Sequence, residues 1–367
     1  MSEMSKKGRF RFGDTPLDRR RVVLGLAAVG GFLALDIGGA LYAAGWFGSF
    51  GRLTQQVFID GFKSVNGAQP GFRKNHAKGV AVQGYFDSNG NGQQVSKAAV
   101  FRVGRTPVRG RFSLAGGDHA QPDMAATARG LALVFGFPGG EQWRTAMLNL
   151  PVFPDNSPQG FYDRLIASKI VPETGKPDPQ TTAHFQAAHP ETVRATALIK
   201  ADPPTSGFAD STYRGLNAFY FVSGSGARTA VRWSVAPLHP PAPPTSAPSG
   251  PNWLFDSLVR QIRSGPLQWR LLLTLGEASD PVNDATIPWP PDRRIIDAGT
   301  LTLTSVATDA PDNAGGINFD PTVLPDGIEL SDDPLLSPRS AVYAASYRLR
   351  AREAKTPPAV TVDEVAQ

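Results

Sequence analysis

Hydrophobic and polar positions divide the chain into two regimes. Residues 1–21 are polar and basic. From Val22 to Phe47 the positions are apolar or small, with Asp36 the single charge among them. That run exceeds the ~20 residues a helix needs to cross a bilayer. Arg19, Arg20 and Arg21 flank it on one side and Tyr42, Trp46 and Phe47 lie at the other, the pattern of a positive-inside flank and an aromatic belt. It is expected to be a transmembrane anchor or an uncleaved signal, although Asp36 near mid-membrane is costly. Asp18-Arg-Arg-Arg-Val-Val-Leu also resembles a twin-arginine export signal, with Ala43-Ala44 a poor cleavage region. The anchor reading places a single-pass protein in the cell inner membrane with its body on the periplasmic side. Cleavage would release that body into the periplasm.

Past residue 48 the period changes. Leu53, Val57, Ile59 and Phe62 form a partial helical stripe, closed by Asn66-Gly67 and Pro70-Gly71. Short apolar runs bounded by glycine then read as strands: Val80–Phe86, Ala98–Val103, Pro107–Leu114, Gly130–Phe137, Leu216–Val222, Thr229–Val235, Trp269–Leu275 and Gly299–Val306. A helical block, Pro158–Ser168 and Thr181–Ala195, separates the fourth from the fifth, and Trp253–Arg263 is amphipathic. The pattern predicts an α+β fold, a closed antiparallel eight-stranded barrel with helical insertions. Pro237–Pro251 reads as a proline-rich spacer. The expected organisation is a basic tail over 1–21, the membrane segment over 22–47, one body over 48–351 and a flexible tail over 352–367.

Composition narrows the chemistry. The 38 glycines and 33 prolines suit a turn-rich architecture more than a helical bundle. There is no cysteine, which removes disulfides, thiolate metal sites, iron–sulfur clusters and cysteine nucleophiles together. The net charge of +5 is modest and much of it lies before residue 22, so the body is not expected to bind nucleic acid.

Four stretches carry candidate chemistry. Arg73-Lys-Asn-His76-Ala-Lys-Gly79 sets a permanent cation and a proton carrier three apart at the mouth of a strand-like run. Arg111-Phe-Ser113 precedes a glycine turn, where Ser113 can hold one nitrogen of His76 and leave the other for chemistry. Asn149-Leu-Pro-Val-Phe153, with Phe161, supplies an amide and two aromatics. Phe319-Asp-Pro, Gly327-Ile-Glu, Asp333 and Arg339-Ser-Ala-Val-Tyr343 follow, with Arg339 and Tyr343 on one helical face.

In that order, from about Phe72 to Arg350, these segments resemble the haem catalases. The short chain, lacking most of the N-terminal arm and the C-terminal domain of the large enzymes, looks like the small catalase-related haem peroxidases. The resemblance implies a catalase-type barrel holding haem b. Tyr343 would ligate the iron as phenolate, with Arg339 favouring the ionised phenol. His76 would shuttle a proton of the bound peroxide, Ser113 would fix its tautomer and Asn149 would orient the peroxide. Arg73, Arg111 and Arg350 match the propionate partners, and Phe153 and Phe161 would wall the distal pocket. Two positions depart from the family: Phe72 stands where a glutamate is expected, and an ungapped reading sets the distal asparagine on Leu148, next to Asn149. The expected activity is reduction of hydrogen peroxide or an organic hydroperoxide by an unidentified electron donor, with a homodimer left open. The alternatives are a true catalase, a hydroperoxide-rearranging enzyme, and a membrane-tethered barrel that binds haem or lipid without turnover.

Overall fold

A computed structural model describes residues 53–136, 140–240, 242 and 250–365. The anticipated basic tail and membrane segment, residues 1–47, lie outside the described residues.

The body opens with α1 (Gln55–Asn66), which buries Phe58, Ile59 and Phe62. Four long strands follow: β1 (Gly79–Ser88), β2 (Gly104–Leu114), β3 (Arg129–Phe135) and β4 (Trp143–Leu148). Next come α2 (Pro158–Ala167), the hairpin β5 (Ile170–Val171) and β6 (Lys176–Pro177), and α3 (Pro179–Ala188) and α4 (Pro190–Ala201). The chain then returns through β7 (Tyr213–Arg214), β8 (Phe219–Val222) and β9 (Arg228–Pro237). It finishes with α5 (Trp253–Ser264), β10 (Leu267–Leu275), β11 (Ile295–Thr308), β12 (Ile328–Leu330) and α6 (Leu336–Arg352).

The sheet order β10-β11-β1-β2-β3-β4-β7-β9 closes on itself through β9–β10 pairing, an antiparallel barrel of eight strands; β8 and β12 extend it beyond β9. Closure removes the open edges that a long sheet would otherwise present.

Strand alternation decides what lies inside. Val108, Phe112 and Leu114 of β2, Leu131, Leu133 and Phe135 of β3, and Trp143 and Met147 of β4 belong to the main core. Trp143 stacks on Phe135 at 5.0 Å and meets Trp233 of β9 edge-on at 5.0 Å. The opposite face of the same strands carries Arg111 and Ser113, Gly130 and Ala132, Ala146 and Leu148. These outer residues are mostly small, so helices standing against them leave a cavity.

Several expectations are corrected. Ala98–Val103 is not a strand: Ala99–Phe101 is a short 3₁₀ turn that buries Val100 and Phe101 together. Two barrel strands escape the expectation: β4, whose buried alternation of Trp143, Thr145 and Met147 is masked in sequence by Arg144, and the two-residue β7; the run expected over Leu216–Val222 is β8, outside the closed barrel. The helix expected over Thr181–Ala195 is two helices, broken where Pro190 follows His189. The tail expected to be flexible packs down instead. Val360 and Val362 are buried in the main core, Thr308 Oγ1 accepts from Val362 N at 2.9 Å, and Glu353 pairs with Lys74 at 2.8 Å.

One buried ion pair ties the entrance of β1 to α5. Lys78 Nζ lies 2.6 Å from Asp123 Oδ1, with the side chains 1% and 0% exposed. Lys78 also donates to the carbonyls of Gln121 and Pro251, while Asp123 Oδ2 accepts from Leu254 N at 2.8 Å. Asp123→Ala strands a buried ammonium, and the expected loss in urea unfolding is about 3–5 kcal/mol. Replacing both partners by apolar residues of similar volume is expected to cost much less.

Candidate active site

A cavity of about 430 Å³ lies between the outer face of β2–β4 and the helices α1, α2 and α6. That is within the range of small-molecule and cofactor sites. Its barrel-side wall is one row of cross-strand partners: Ser113 opposite Gly130, and Gly130 opposite Leu148.

His76 reaches this wall from the turn before β1. Its φ of 55° is left-handed, a conformation costly for a side chain larger than glycine's. The surrounding bonds hold it there. Asn75 Oδ1 accepts from His76 N at 3.0 Å and from Gly116 N at 3.1 Å. Arg111 donates to the carbonyls of His76 and Ala77, both at 2.8 Å. The imidazole Nδ1 is 3.1 Å from Ser113 Oγ, as the sequence suggested, which leaves Nε2 for a ligand. A Cβ on Gly130 would come within 2.8 Å of Ser113 Oγ and 3.2 Å of His76 Nδ1, so this pair needs a glycine beside it. Desolvation first, then the charges of Arg111, Arg339 and Arg73, push the imidazole down to about 4. At neutral pH it is uncharged.

Arg73 and Arg111 converge on Asp309, just past β11, a residue that no motif had singled out, and Arg350 stands nearby. Asp309 Oδ2 accepts from Arg111 Nε at 2.7 Å and from Arg73 at 3.2 Å. Arg73 and Arg350 also donate to Ile317 O, at 3.1 and 2.9 Å. Burial and mutual repulsion lower Arg73 well below its ordinary value and Arg350 to about 10. Against its own desolvation, Asp309 is held below the usual carboxylate range by Arg111 and Arg73. Two guanidiniums meet one carboxylate with a third beside them, and Asp309 Oδ1 and Arg350 Nε are buried without hydrogen-bond partners. The cluster is short of negative charge.

The helical side contributes Tyr343, packed near the outer-face apolar cluster of Ala81, Val134, Ala314 and Phe319. Arg339, one turn earlier, donates to the Tyr343 hydroxyl at 3.4 Å and to Asn217 Oδ1 at 2.6 Å. Asn217 in turn donates to Asp333 Oδ2 at 2.8 Å. Leu216, with φ of 63°, delivers Asn217 to this relay. Asn217 was hidden inside a predicted strand, and nothing local distinguishes it.

Phe153 and Phe161 line the cavity as expected, stacked at 6.2 Å and 8°. Asn149 does not line it. Its Oδ1 accepts from Arg129 N at 2.7 Å, while Leu148 and Leu150 on either side reach the cavity. The alternation of β4 runs on through its exit and turns the amide away. Phe72, at the position of the expected glutamate, stacks on His119 at 4.0 Å.

Comparison with known proteins gives the family. The catalase family model matches residues 50–358. The chain is 37% identical over 309 residues to a catalase-related peroxidase of Synechococcus elongatus, covering 83% of this chain and 91% of that protein. A catalase-related peroxidase of Mycolicibacterium paratuberculosis is 30% identical over 315 residues, covering 84% and 99%. Among solved structures, catalase A from Saccharomyces cerevisiae superposes with a TM-score of 0.68 at 20% identity, over 83% of this chain and 66% of that one. The chain belongs to the catalase family.

Membership implies haem, and the residues fit it. Such a group needs an axial donor, an apolar slot for its ring and cations for two propionates. Tyr343, the apolar wall of Ala132, Ala146, Leu148 and Phe161, and the arginines around Asp309 could supply one each.

Proposed function

We propose that the chain is a catalase-related peroxidase that uses haem b to reduce hydrogen peroxide or an organic hydroperoxide with electrons from an external small-molecule donor. The observation that carries this reading is a neutral, Ser113-oriented His76 lining the same cavity as the Arg339–Tyr343 pair. When bound, haem supplies an iron able to accept the oxygen of a cleaved O–O bond and then take up donor electrons. Tyr343 would hold it through its phenol oxygen, which Arg339, fixed by Asn217 and Asp333, orients by a hydrogen bond. Arg73, Arg111 and Arg350 would bind the propionates by charge-assisted hydrogen bonds.

His76 works at Nε2. It takes the hydroperoxide proton and returns it to the departing oxygen, so that water or alcohol leaves rather than an anion. Ser113 keeps Nδ1 occupied and the ring turned. The strained turn is held by Arg111 and Asn75, which spares the base any reorganisation during turnover.

The low proton affinity of His76 sets the pH response. The base is competent wherever its imidazole is neutral, so kcat/KM for the hydroperoxide should hold through pH 6.5 and fall only as pH approaches about 4. Stability responds between the two values. The unfolded histidine takes up a proton below its usual value of about 6.5, which the folded one refuses, so stability is full above that value and is lost as pH falls toward the folded one. A peroxide-reduction profile with an acid limb near 6.5 would count against this assignment. Oxygen release without any reductant separates catalase from peroxidase activity. The N-terminal pattern supports tethering of this domain on the periplasmic face, testable by protease accessibility in spheroplasts.

A further inference from the structure

His189 is a titratable group that the proposed chemistry does not use. It closes the junction between α3 and α4, and both of its ring nitrogens end on carboxylates. Nε2 lies 3.1 Å from Asp163 Oδ2 on α2, and Nδ1 lies 3.0 Å from Glu191 Oε1 in the first turn of α4. The ring is 13% exposed and Glu191 15%, so water replaces neither group easily; Asp163, at 36%, is the wetter partner. α3 faces the ring with Phe185, centroids 4.8 Å apart. α2 also faces it with Gly160, where an added Cβ would meet Nδ1 at 3.4 Å. The charged groups around the imidazole are Asp163 and Glu191.

One protonation state satisfies both contacts. A neutral imidazole has a single N–H, so it donates to one carboxylate and turns a lone pair on the other. The imidazolium donates to both, and each bond is then charge-assisted. Desolvation works against that charge, but the bonds to Glu191 and Asp163 outweigh it and raise the imidazole above its ordinary value.

The contact matters because of what α2 carries. Pro158, Phe161, Arg164 and Leu165 of that helix line the cavity. The two helices bracing it bring little apolar burial: α3 buries no residue, and α4 buries only Thr192 and Ala195. The brace is largely polar. Asp155 accepts from Arg164 Nε at 2.9 Å and from Thr192 Oγ1 at 3.3 Å, and His189 makes a second link.

We propose that His189 is a pH-sensitive latch on the cavity's helical wall: protonated, it ties α2 to α4 through Asp163 and Glu191, and on losing its proton it lets α2 move. A folded value above the ordinary one of about 6.5 makes the latch complete below about 6.5 and lost as pH rises through the folded value. His76 acts on the acid side of the same reference, so the two histidines work in separate pH ranges.

Backbone hydrogen exchange of the full chain, corrected for the intrinsic pH dependence of exchange, tests the latch without haem. From about pH 6 to about pH 9, protection over Pro158–Ala167 and Pro190–Ala201 should fall about fivefold, while β2 and β3 stay level. His189→Arg keeps a cation with donors for both carboxylates and should hold the acid-side protection throughout. His189→Gln, neutral at every pH, should show the alkaline level throughout. On the haem-loaded chain, release of haem to apomyoglobin should quicken in the same order, because α2 walls the pocket. Equal wild-type protection at the two pH values, or a pH dependence that survives His189→Arg, overturns the proposal. Exchange that responds while haem release does not overturns it too, since the cavity would then be untouched. If His189→Arg fails to fold, the NMR titration of His189 decides, and a midpoint at or below about 6.5 overturns the latch. A chain that binds no haem would sink the peroxidase reading and leave exchange to decide the latch.

Discussion

Tyr343→Phe is expected to leave a folded protein that no longer retains haem. The ring packs beside Ala81, Val134, Ala314 and Phe319, and phenylalanine keeps those contacts. What disappears is the hydroxyl that accepts from Arg339 at 3.4 Å and that would ligate the iron. Loss of a partner that merely orients a metal ligand costs about 10–100-fold in affinity, so removing the ligand itself should exceed 100-fold. Titration of the purified variant with haem, followed by absorption, measures this. Retention of wild-type affinity with an unchanged spectrum would remove Tyr343 from the axial position.

His76→Ala should do the opposite, keeping haem and losing reactivity. On the proposed assignment, propionate binding would fall to Arg73, Arg111 and Arg350 and ligation to Tyr343, so affinity should change little. General acid–base catalysis is worth about 10²–10⁴-fold, and the rate constant for reaction with hydroperoxide should drop by that much. Part of the loss should appear in Ser113→Ala, which frees the ring without deleting it. The left-handed backbone at position 76 also gives the alanine variant a small cost of its own, readable as a slight fall in melting temperature.

Local signals exposed much of this site and concealed the rest for identifiable reasons. The pairing of His76 with Ser113, the Arg339–Tyr343 turn and the stacked Phe153 and Phe161 all sit inside short motifs whose spacing survives folding. Asn149 and Leu148 are adjacent, and only the phase of β4 decides which faces the cavity. β4 was missed because Arg144 interrupts its apolar run, so its phase was not available. Asp309 and Asn217 were invisible for a different reason. Each matters through partners far away in sequence, Asp309 through arginines more than 190 residues upstream and Asn217 through Arg339, 122 residues on. An aspartate past a strand end and an asparagine in an apolar, strand-like run look ordinary until the barrel closes. The eight-strand count was right with two members misassigned: Ala98–Val103 is as apolar as a strand but buries consecutive residues in a turn, and Leu216–Val222 forms β8 outside the closed barrel.

The most direct test is an absorption spectrum of the haem-loaded full chain, recorded alone, after one equivalent of hydroperoxide and again after guaiacol. A high-spin ferric tyrosinate spectrum that shifts with the hydroperoxide and returns with the phenol is the expected result. A haem band that hydroperoxide leaves unmoved, or no haem band after growth with ample haem, would contradict the assignment of His76 and Tyr343 to one peroxidase site.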